Sequence, residues 1–407
     1  MNLERTLLLD LAERYHTPLF VYDGDLVLER YRELFKFIPD PGLKIFYAMK
    51  ANYNPMLLTM LRDAGCGIDA VSPGEVELAL RMGFAPERIM YTANNMTDEE
   101  FERVRRTNVT MNIGSLSRLR KIANAHKGMS LCLRFNPDVC DGDSVHTMTA
   151  GALTKFGILL SDVEEVKRLV KQGDLHVIGL HEHTGSGLQH AESVYRAMDN
   201  LMAIATKENF PELRFLDFGG GFKVPYRPDE ARIDYVEMGR RIAEKFAAFR
   251  RAYGRDLAIC FEPGKFLVAE CGVLLTQVNT LKHNRERLIA GCDSGFPQLI
   301  RPLLYGAYHE IENLSNPYGK KQLYDVCGNI CETGDRFAEQ RELPEIREYD
   351  ILGIRNAGAY CYSMGGIYNL RSMPGEVVIV NRQVKFLRRR CSDQEMIAGI
   401  LDGCQYV

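Results

Sequence analysis

Short apolar runs alternate with amphipathic segments of helical length between about residues 43 and 265. Apolar runs bounded by turn residues predict buried strands, and apolar residues that recur with the helical period predict helices. Because a helix joins each predicted strand to the next, the pattern is typical of an α/β fold of the (β/α)8 barrel type. The predicted strands are Ile45–Ala48, Gly67–Val71, Ile89–Thr92, Thr110–Ile113, Ser130–Phe135, His176–Glu182, Arg214–Phe218 and Leu257–Glu262. The predicted helices are Met56–Ala64, Pro73–Met82, Asp98–Thr107, Ser115–Ala125, Ser161–Gln172, Ala191–Glu208 and Tyr235–Tyr253.

A doubly wound open sheet is the rival architecture for alternating strands and helices. It usually has fewer strands, and a Gly-x-Gly-x-x-Gly turn follows its first strand when it binds a dinucleotide. No such turn follows Ala48. The sequence therefore favours the barrel.

The pattern changes after Glu262, where β-like segments are separated by Gly, Pro and Asn turns. Helical periodicity returns only near Asp393–Leu401. We therefore expect a barrel over residues 24–265 and an appended, mostly antiparallel β domain over 266–407, to which residues 1–23 contribute. The β-like segments are Phe266–Asn279, Leu288–Cys292, Tyr324–Asn329, Asp350–Ile354, Glu376–Val380 and Gln383–Arg388.

Composition narrows the class of function. The chain has 407 residues, of which 46% are hydrophobic and 26% charged, as in globular proteins. A formal charge of −3 predicts no binding to nucleic acid or to an anionic membrane. The eleven cysteines lack the spacing of a disulfide framework or a zinc site. The first residues have no signal-peptide pattern, so we expect a cytoplasmic protein with a small-molecule ligand.

Polar and glycine-rich residues follow almost every predicted barrel strand. In such barrels the carboxyl ends of the strands meet at the face that carries the chemistry. This clustering predicts a functional site there. The residues are Lys50, Asp69, Ser72, Asn94, Asn95, Arg134, Asn136, His181, His183, Ser186, Gly219–Gly221 and Glu262–Gly264.

Three of these features fit a phosphorylated aldehyde such as pyridoxal phosphate. Desolvation would lower the pKa of the Lys50 amine at the mouth of a buried strand, and such an amine can bind an aldehyde covalently. Gly219–Gly221 leaves backbone N–H groups uncovered for phosphate, and Glu262 would pair with a protonated pyridine nitrogen. Each also has a structural interpretation: a solvated strand end, a tight turn, and a core carboxylate paired with an arginine.

His181 and His183 alternate on one strand and therefore lie on the same face. This is a metal-ligand spacing in hydrolase barrels. The companion ligands of such a site are not all present in the sequence, and stacking of His183 on a cofactor ring fits better. In the β domain, the thiol of Cys331 could donate a proton to a carbanion, and a small-residue turn presents the phenol of Tyr360; both also fit a structural role.

Taken together, the motifs of this chain resemble those of the barrel-type, pyridoxal-phosphate-dependent amino-acid decarboxylases, over nearly the whole length. The chain looks most similar to the members that act on meso-2,6-diaminopimelate. The resemblance implies an alanine racemase-like fold and decarboxylation to L-lysine and carbon dioxide in lysine biosynthesis, by a cytoplasmic homodimer with shared active sites. The motifs are Tyr47–Asn52, His181–Gly187, Gly219–Gly221, Glu262–Lys265, Arg301–Ala307, Cys331-Glu332 and Ala357–Tyr360.

The resemblance also implies residue roles. Lys50 would carry the cofactor, His183 would stack on its ring, and Cys331 of the partner subunit would donate the proton. No metal is implied. The implied cofactor-binding residues are Lys50, Asp69, His183, Ser186, Gly219, Gly220, Gly221, Glu262, Gly264 and Tyr360. The implied substrate-binding residues are Lys265, Arg301, Tyr305, Glu332 and Tyr360.

The sequence departs from the family at a few positions. Lys265 stands where the family usually has arginine, which keeps the charge but loses the bidentate fork. Asn329 replaces a usual proline, and Gly365-Gly366 a usual pair of serines. These departures bear on the substrate rather than on the cofactor or reaction, and they leave open a decarboxylase for another diamino acid or carboxylated polyamine. Three further alternatives are a pyridoxal-phosphate racemase, a metal-dependent hydrolase and a non-catalytic regulator.

Overall fold

The computed structural model describes residues 3–139, 141–142, 149–151 and 154–404. The chain forms two compact units. The barrel unit comprises residues 28–224 and 232–266, and the β unit comprises residues 1–27, 225–231 and 267–407. The helices are α1 (Arg5–Tyr15), α2 (Gly24–Phe37), α3 (Pro55–Asp63), α4 (Pro73–Arg81), α5 (Asp98–Arg105), α6 (Leu116–Ala125), α7 (Val163–Gly173), α8 (Ala191–Ile204), α9 (Tyr235–Tyr253), α10 (Lys265–Val268), α11 (Arg301–Tyr305) and α12 (Asp393–Leu401).

Eight parallel strands close into a ring in the barrel unit. Their order is β5-β4-β3-β2-β10-β9-β8-β6, and pairing of β6 with β5 closes the ring. The short β7 pairs with β6 beside the ring. The predicted eight-stranded barrel is confirmed, with strand ends displaced by one or two residues. The strands are β2 (Leu43–Ala48), β3 (Gly67–Ala70), β4 (Ile89–Tyr91), β5 (Thr110–Ile113), β6 (Ser130–Asn136), β7 (Ile158–Leu159), β8 (His176–His181), β9 (Phe215–Asp217) and β10 (Ala258–Phe261).

Polar residues that follow the strands begin several barrel helices. The Ser72 hydroxyl accepts a hydrogen bond from the Glu75 N–H (3.1 Å) and caps α4. Thr97 and Glu100 form a capping box at the start of α5. Such caps satisfy N–H groups that have no partner within the helix. Ser72, which the sequence places among the strand-end polar residues, is therefore a helix cap.

The β unit is a mixed sheet of mostly antiparallel pairs, as predicted. Its main path runs β15-β14-β12-β11-β1-β17-β18, and β16 pairs with β11 and β13. Strand β1, from the N-terminal segment, lies between β11 and β17. Leu8 and Leu11 of α1 pack into the core on this sheet. The strands are β1 (Leu19–Asp23), β11 (Gly272–Asn284), β12 (Arg287–Cys292), β13 (Ile311–Asn313), β14 (Lys321–Cys327), β15 (Arg336–Pro344), β16 (Ile351–Ile354), β17 (Gly375–Val380) and β18 (Gln383–Arg388).

The predicted strand over Phe266–Asn279 is wrong at its start. Residues 265–268 form the short helix α10, and strand β11 begins only at Gly272 and continues to Asn284. Phe266, Leu267 and Val268 are all buried. A fully buried apolar run has no polar face, so its periodicity cannot distinguish a helical turn from a strand.

Gly239 in α9 allows close packing within the barrel unit. A Cβ atom at this position would overlap the backbone carbonyl of Phe37 at the end of α2. Backbone atoms cannot rotate away as a flexible side chain can. The contact therefore requires glycine, although glycine is a poor helix former.

We expect Gly239→Ala to lower the stability by about 1–3 kcal/mol, because the added methyl group overpacks a backbone contact. Gly399→Ala in α12 is the matched control, since a Cβ atom there meets nothing within 4 Å. That control should gain about 0.5–1 kcal/mol from helix propensity. Thermal unfolding of both variants tests this, and equal shifts in the two would contradict the packing argument.

Candidate active site

Lys50 lies directly after β2, in a 3-10 turn formed by Met49–Ala51. Its Nζ atom is 2.9 Å from Oδ2 of Asp69, which lies near the end of strand β3. The Lys50 side chain is 40% exposed and the Asp69 side chain 1%. Burial and the charge of Glu262 raise the pKa of Asp69, and the charge of Lys50 opposes them. The amine is thus anchored by a buried carboxyl and still accessible.

Glu262, which follows β10, forms a buried pair with His181 at the end of β8. His181 Nε2 and Glu262 Oε2 are 3.0 Å apart. Burial lowers the pKa of His181 well below its usual range, so the neutral ring donates its Nε2–H to the carboxylate. Burial raises the pKa of Glu262 to about 6, against the charges of Lys50 and Arg134. Among the described residues, Glu262 Oε1 has no hydrogen-bond partner, so this oxygen can accept a donor from a ligand.

Asp217, the last residue of β9, was not predicted as a site residue. Its Oδ1 accepts the N–H of Gly219 (2.9 Å), and burial raises its pKa well above the usual range. Ligand atoms of His181, Asp217 and Glu262 lie within 4.8 Å of one another, close enough to hold a metal. His183, which the hydrolase alternative requires, is not in this group. An acid two residues before a glycine run is the sequence signal that could have found Asp217.

Arg134 on β6 is the buried cation of the site. Its guanidinium lies 4.7 Å from the ring centroid of Phe156. Burial lowers its pKa, and the surrounding carboxyl groups Glu262, Asp69, Glu182 and Asp217 oppose that effect. Acidic groups outnumber cations at these strand ends. Such a site favours a positively charged ligand group.

The glycine run after β9 lies against His183. The Gly220 N–H donates to His183 Nδ1 (3.1 Å), which fixes Nδ1 as the unprotonated ring nitrogen. Burial lowers the pKa of His183 well below its usual range, so the ring is neutral. A Cβ atom at Gly219 would lie 2.5 Å from His183 Nδ1, and one at Gly220 would overlap the Glu262 carbonyl. Only glycine therefore fits here, and Gly219 also has a positive φ of 64°.

Other predicted barrel residues lie in the adjoining segments. Ser186 is half-buried in the loop that follows His183. Gly264 is buried after β10, and Lys265, which begins α10, is 5% exposed. The Pro263 carbonyl accepts the N–H of Ala48 (3.4 Å) and joins the ends of β10 and β2. The structure thus joins Lys50, Asp69, His183, Gly219–Gly221 and Glu262 through contacts at one end of the barrel.

Glu182 is a second residue that sequence reasoning missed. It follows β8 between the two histidines and lines an apolar cavity with Phe218 and Met238. Burial raises its pKa to about 8, so it is protonated at neutral pH. Its Oε2 accepts the hydroxyl of Thr184 (3.1 Å). No local pattern predicts a protonated glutamate, because the cavity walls come from distant segments.

The remaining predicted residues belong to the β unit. Arg301 begins α11 and is buried, and its guanidinium carbon lies 5.0 Å and 5.7 Å from the ring centroids of Tyr226 and Tyr305. Tyr360 is half-buried, in a turn with φ of 57°. Cys331 and Glu332 are both exposed.

Hydrogen bonds hold the loop that carries Cys331. The Cys331 N–H donates to Asn369 Oδ1 (3.0 Å), and the Ile330 N–H to Asp335 Oδ2 (2.8 Å). Asn329 donates its backbone N–H to the Ser294 carbonyl (3.0 Å) and its Nδ2 to the Asp293 carbonyl (2.8 Å). The exposed thiol therefore lies on a well-anchored loop.

Comparison with known proteins agrees with this geometry. Residues 25–269 match the family described as pyridoxal-dependent decarboxylase, pyridoxal binding domain. The chain belongs to this family. It is 39% identical to the diaminopimelate decarboxylase of Methanothermobacter thermautotrophicus, over 96% of this chain and 93% of that protein. It is 32% identical to the diaminopimelate decarboxylase of Aquifex aeolicus, over 98% and 95%.

A solved structure shows the same fold in a relative. The diaminopimelate decarboxylase from Helicobacter pylori, complexed with L-lysine, superimposes with a TM-score of 0.87 at 29% identity, covering 98% of this chain and 100% of that one. The predicted family and its pyridoxal phosphate cofactor are confirmed. Within the described ranges, no helix of this decarboxylase has the length and apolar character needed to cross a bilayer.

The residues of the barrel unit fit pyridoxal phosphate. The uncommitted Glu262 Oε1 matches a protonated pyridine nitrogen, and the Lys50 amine is accessible to an aldehyde. The neutral ring of His183 offers a flat face, and the glycine run packs against this ring and holds it in place. A pyridinium also supplies the positive charge that this acidic site favours.

The neutral state of Glu182 leads to a pH prediction. An unfolded glutamate ionises near pH 4.5, whereas Glu182 in the fold keeps its proton to about pH 8. The stability of the wild type should therefore fall as the pH rises between these values and level off above. Glu182→Gln keeps an acceptor for Thr184 but does not titrate, so it should gain several kcal/mol over the wild type across this range.

Thermal unfolding of the two proteins from pH 5 to pH 9 measures this difference. Glu164→Gln, at a side chain that is 77% exposed, is the control and should follow the wild type. Parallel curves for the wild type and Glu182→Gln would show that Glu182 is ionised in the fold.

Proposed function

We propose that this decarboxylase converts meso-2,6-diaminopimelate to L-lysine and carbon dioxide, a step of lysine biosynthesis. The observation that carries the proposal is the pairing of the accessible Lys50 amine with Asp69 beside the buried Glu262, whose Oε1 is uncommitted. The diaminopimelate decarboxylases that match over nearly the whole chain support the substrate.

When bound, pyridoxal phosphate supplies a sink for the electrons that the departing carboxyl group leaves behind. Lys50 would hold its aldehyde carbon. Glu262, with a pKa of about 6, is ionised at neutral pH and would keep the proton on the ring nitrogen. Neutral His181 donates to the other oxygen of Glu262 and fixes its orientation. The backbone N–H of Gly221 and the hydroxyl of Ser186 would hold the phosphate, because the predicted donors at Gly219 and Gly220 already bind Asp217 and His183.

The substrate has a second amino-carboxyl end, which needs cations for its carboxylate and an acid for its ammonium group. We propose Lys265, Arg301 and Tyr305 for the carboxylates, Glu332 for the distal ammonium group and Tyr360 as a further contact. Arg301 is preorganised for this role by the rings of Tyr226 and Tyr305. Lys265 would act as a point charge, since an ammonium group cannot form a bidentate fork.

We also propose a homodimer in which the Cys331 thiol of one chain would donate a proton to the substrate Cα atom in the partner's site, where the bond to the departing carboxyl group has broken. The exposure of Cys331 and Glu332 on an anchored loop supports this, because an exposed thiol can reach a second chain. The cytoplasm is the proposed compartment. All ten cysteines within the described part of the chain are free thiols, as is usual in reducing compartments.

Carbon dioxide release from meso-diaminopimelate, measured on the cofactor-loaded protein, tests the proposed function. We expect release with L-lysine as the product, and none from lysine, ornithine or arginine. Lys50→Ala should lose the visible absorbance of bound cofactor and lower turnover by more than about a thousandfold. Lys44→Ala, an exposed lysine on β2, is the matched control and should retain both.

Other outcomes would point to the alternatives. Release of carbon dioxide from a different diamino acid, and not from meso-diaminopimelate, would correct the proposed substrate and support the proposed decarboxylation. Exchange of deuterium into the substrate without loss of carbon dioxide would indicate a racemase. Turnover in the Lys50→Ala protein would reject the assignment of Lys50.

Mixing two inactive variants tests the shared site. Lys50→Ala and Cys331→Ala chains should recover about a quarter of the wild-type activity after subunit exchange, because half of the randomly formed dimers contain one intact site. Lys50→Ala mixed with Glu262→Ala is the control and should stay inactive, since both residues lie in the barrel of one chain. No recovery in the first mixture would place Cys331 in the site of its own chain.

A further inference from the structure

The β unit contains a groove of about 510 Å3 that has no assigned role. We call it the arginine groove, because Arg227, Arg336 and Arg341 line it together with Tyr308. Its walls come from α11, from the Thr333-Gly334 turn and from β15. Glu339 is the one acidic residue among those that line it. The groove is therefore positively charged.

The lone acid neutralises only one of these cations. Arg336 Nη1 lies 2.9 Å from Glu339 Oε1. Neither Arg227 nor Arg341 has an ion pair with a carboxylate anywhere in the ranges that the structure describes. Arg341 Nη1 donates a hydrogen bond to the His309 carbonyl (2.9 Å). Two guanidinium groups thus keep most of their donors available.

Tyr308 holds these two guanidinium groups in place. The guanidinium carbon of Arg341 is 3.9 Å from the ring centroid, and that of Arg227 is 4.5 Å away. Both guanidinium groups therefore contact the same aromatic ring. Cation–π contacts offset part of the repulsion between the two charges.

The pKa of Arg341 reflects the charged groups around it. Burial and the positive charge of Arg227 lower its pKa, whereas Tyr308 and Glu310 raise it. Like charges held this close are stabilised by a shared counter-charge. Planar, fixed guanidinium groups match the oxygens of carboxylates and phosphates in particular.

We propose that the arginine groove binds a small anion that carries carboxylate or phosphate groups, through the guanidinium groups of Arg227 and Arg341. Its volume suits a small metabolite rather than a single inorganic ion. Tyr308 preorganises both arginines, so little side-chain entropy is lost on binding.

An anion bound in the arginine groove would affect the decarboxylation. Leu303 on α11 and Gly334 in the turn both line the groove, and a Cβ atom on Gly334 would lie 2.7 Å from Leu303 Cδ1. The same helix carries Arg301, and the same loop carries Cys331. An anion would restrain both, and we expect it to change the KM for the substrate; this part rests on the proposed function.

Calorimetric titration of the cofactor-loaded, full-length protein with citrate and with inorganic phosphate tests the binding. A titration with chloride at the same ionic strength is the reference. The bound cofactor fills the proposed phosphate site of the barrel unit, so added phosphate does not bind there. We expect saturable binding of at least one of the two, weakened at least tenfold by Arg227→Gln and lost in the Arg227→Gln/Arg341→Gln protein. Arg285→Gln removes one exposed charge elsewhere in the β unit and should leave the affinity unchanged.

The two anions distinguish a carboxylate ligand from a phosphate ligand. Equal binding by the wild type and Arg227→Gln would overturn the proposal, as would equal weakening by Arg285→Gln, which would indicate general charge attraction. A change in oligomeric state in Arg227→Gln without loss of anion binding would instead assign the groove to a contact between copies. Because Arg227 is exposed, its substitution tests the groove even if Arg341→Gln impairs folding. These binding results do not depend on the substrate of the enzyme.

Discussion

The site in the barrel unit depends on how the fold accommodates several buried acidic side chains at the carboxyl ends of the strands. Asp69, Asp217 and Glu262 lie at the carboxyl ends of β3, β9 and β10, and burial raises the pKa of all three. Each is partly compensated: Asp69 by the Lys50 amine, Asp217 by the Gly219 N–H, and Glu262 by neutral His181. These contacts do not fully pair the three carboxyl groups, and unpaired buried carboxyl groups reduce stability. The fold retains this cost at the point where a cationic cofactor ring would relieve it.

The glycine run after β9 shows how backbone, rather than side chains, sets the geometry of the site. Gly219 lies against His183 and Gly220 against the Glu262 carbonyl, at distances that exclude a Cβ atom. The same segment donates to Asp217 and His183. One loop therefore fixes the tautomer of a histidine and donates a hydrogen bond to a buried acid. A side chain at any of these positions would disturb several of these contacts at once.

Sequence patterns predicted those features that depend on short stretches of the chain. The barrel followed from alternation of strands and helices, and the polar strand ends pointed to Lys50, His183, Glu262 and the glycine run. The protonation of Glu182 could not be predicted, because the cavity around it is formed by residues distant in the chain, such as Met238. The helix α10 was read as strand because burial on every side removes periodicity. The arginine groove likewise joins Arg227 to residues more than seventy positions away, which no spacing rule links.

Asn329 illustrates how one substitution can change the way in which a loop is fixed. A proline would restrict the backbone of the loop by covalent stiffness, whereas Asn329 restricts it with two donated hydrogen bonds, one of them from the backbone N–H that proline lacks. The two residues are therefore alternative solutions with different partners. Proline in place of Asn329 would leave the Ser294 and Asp293 carbonyls without these donors, so the loop would exchange two hydrogen bonds for a lower conformational entropy of the unfolded chain.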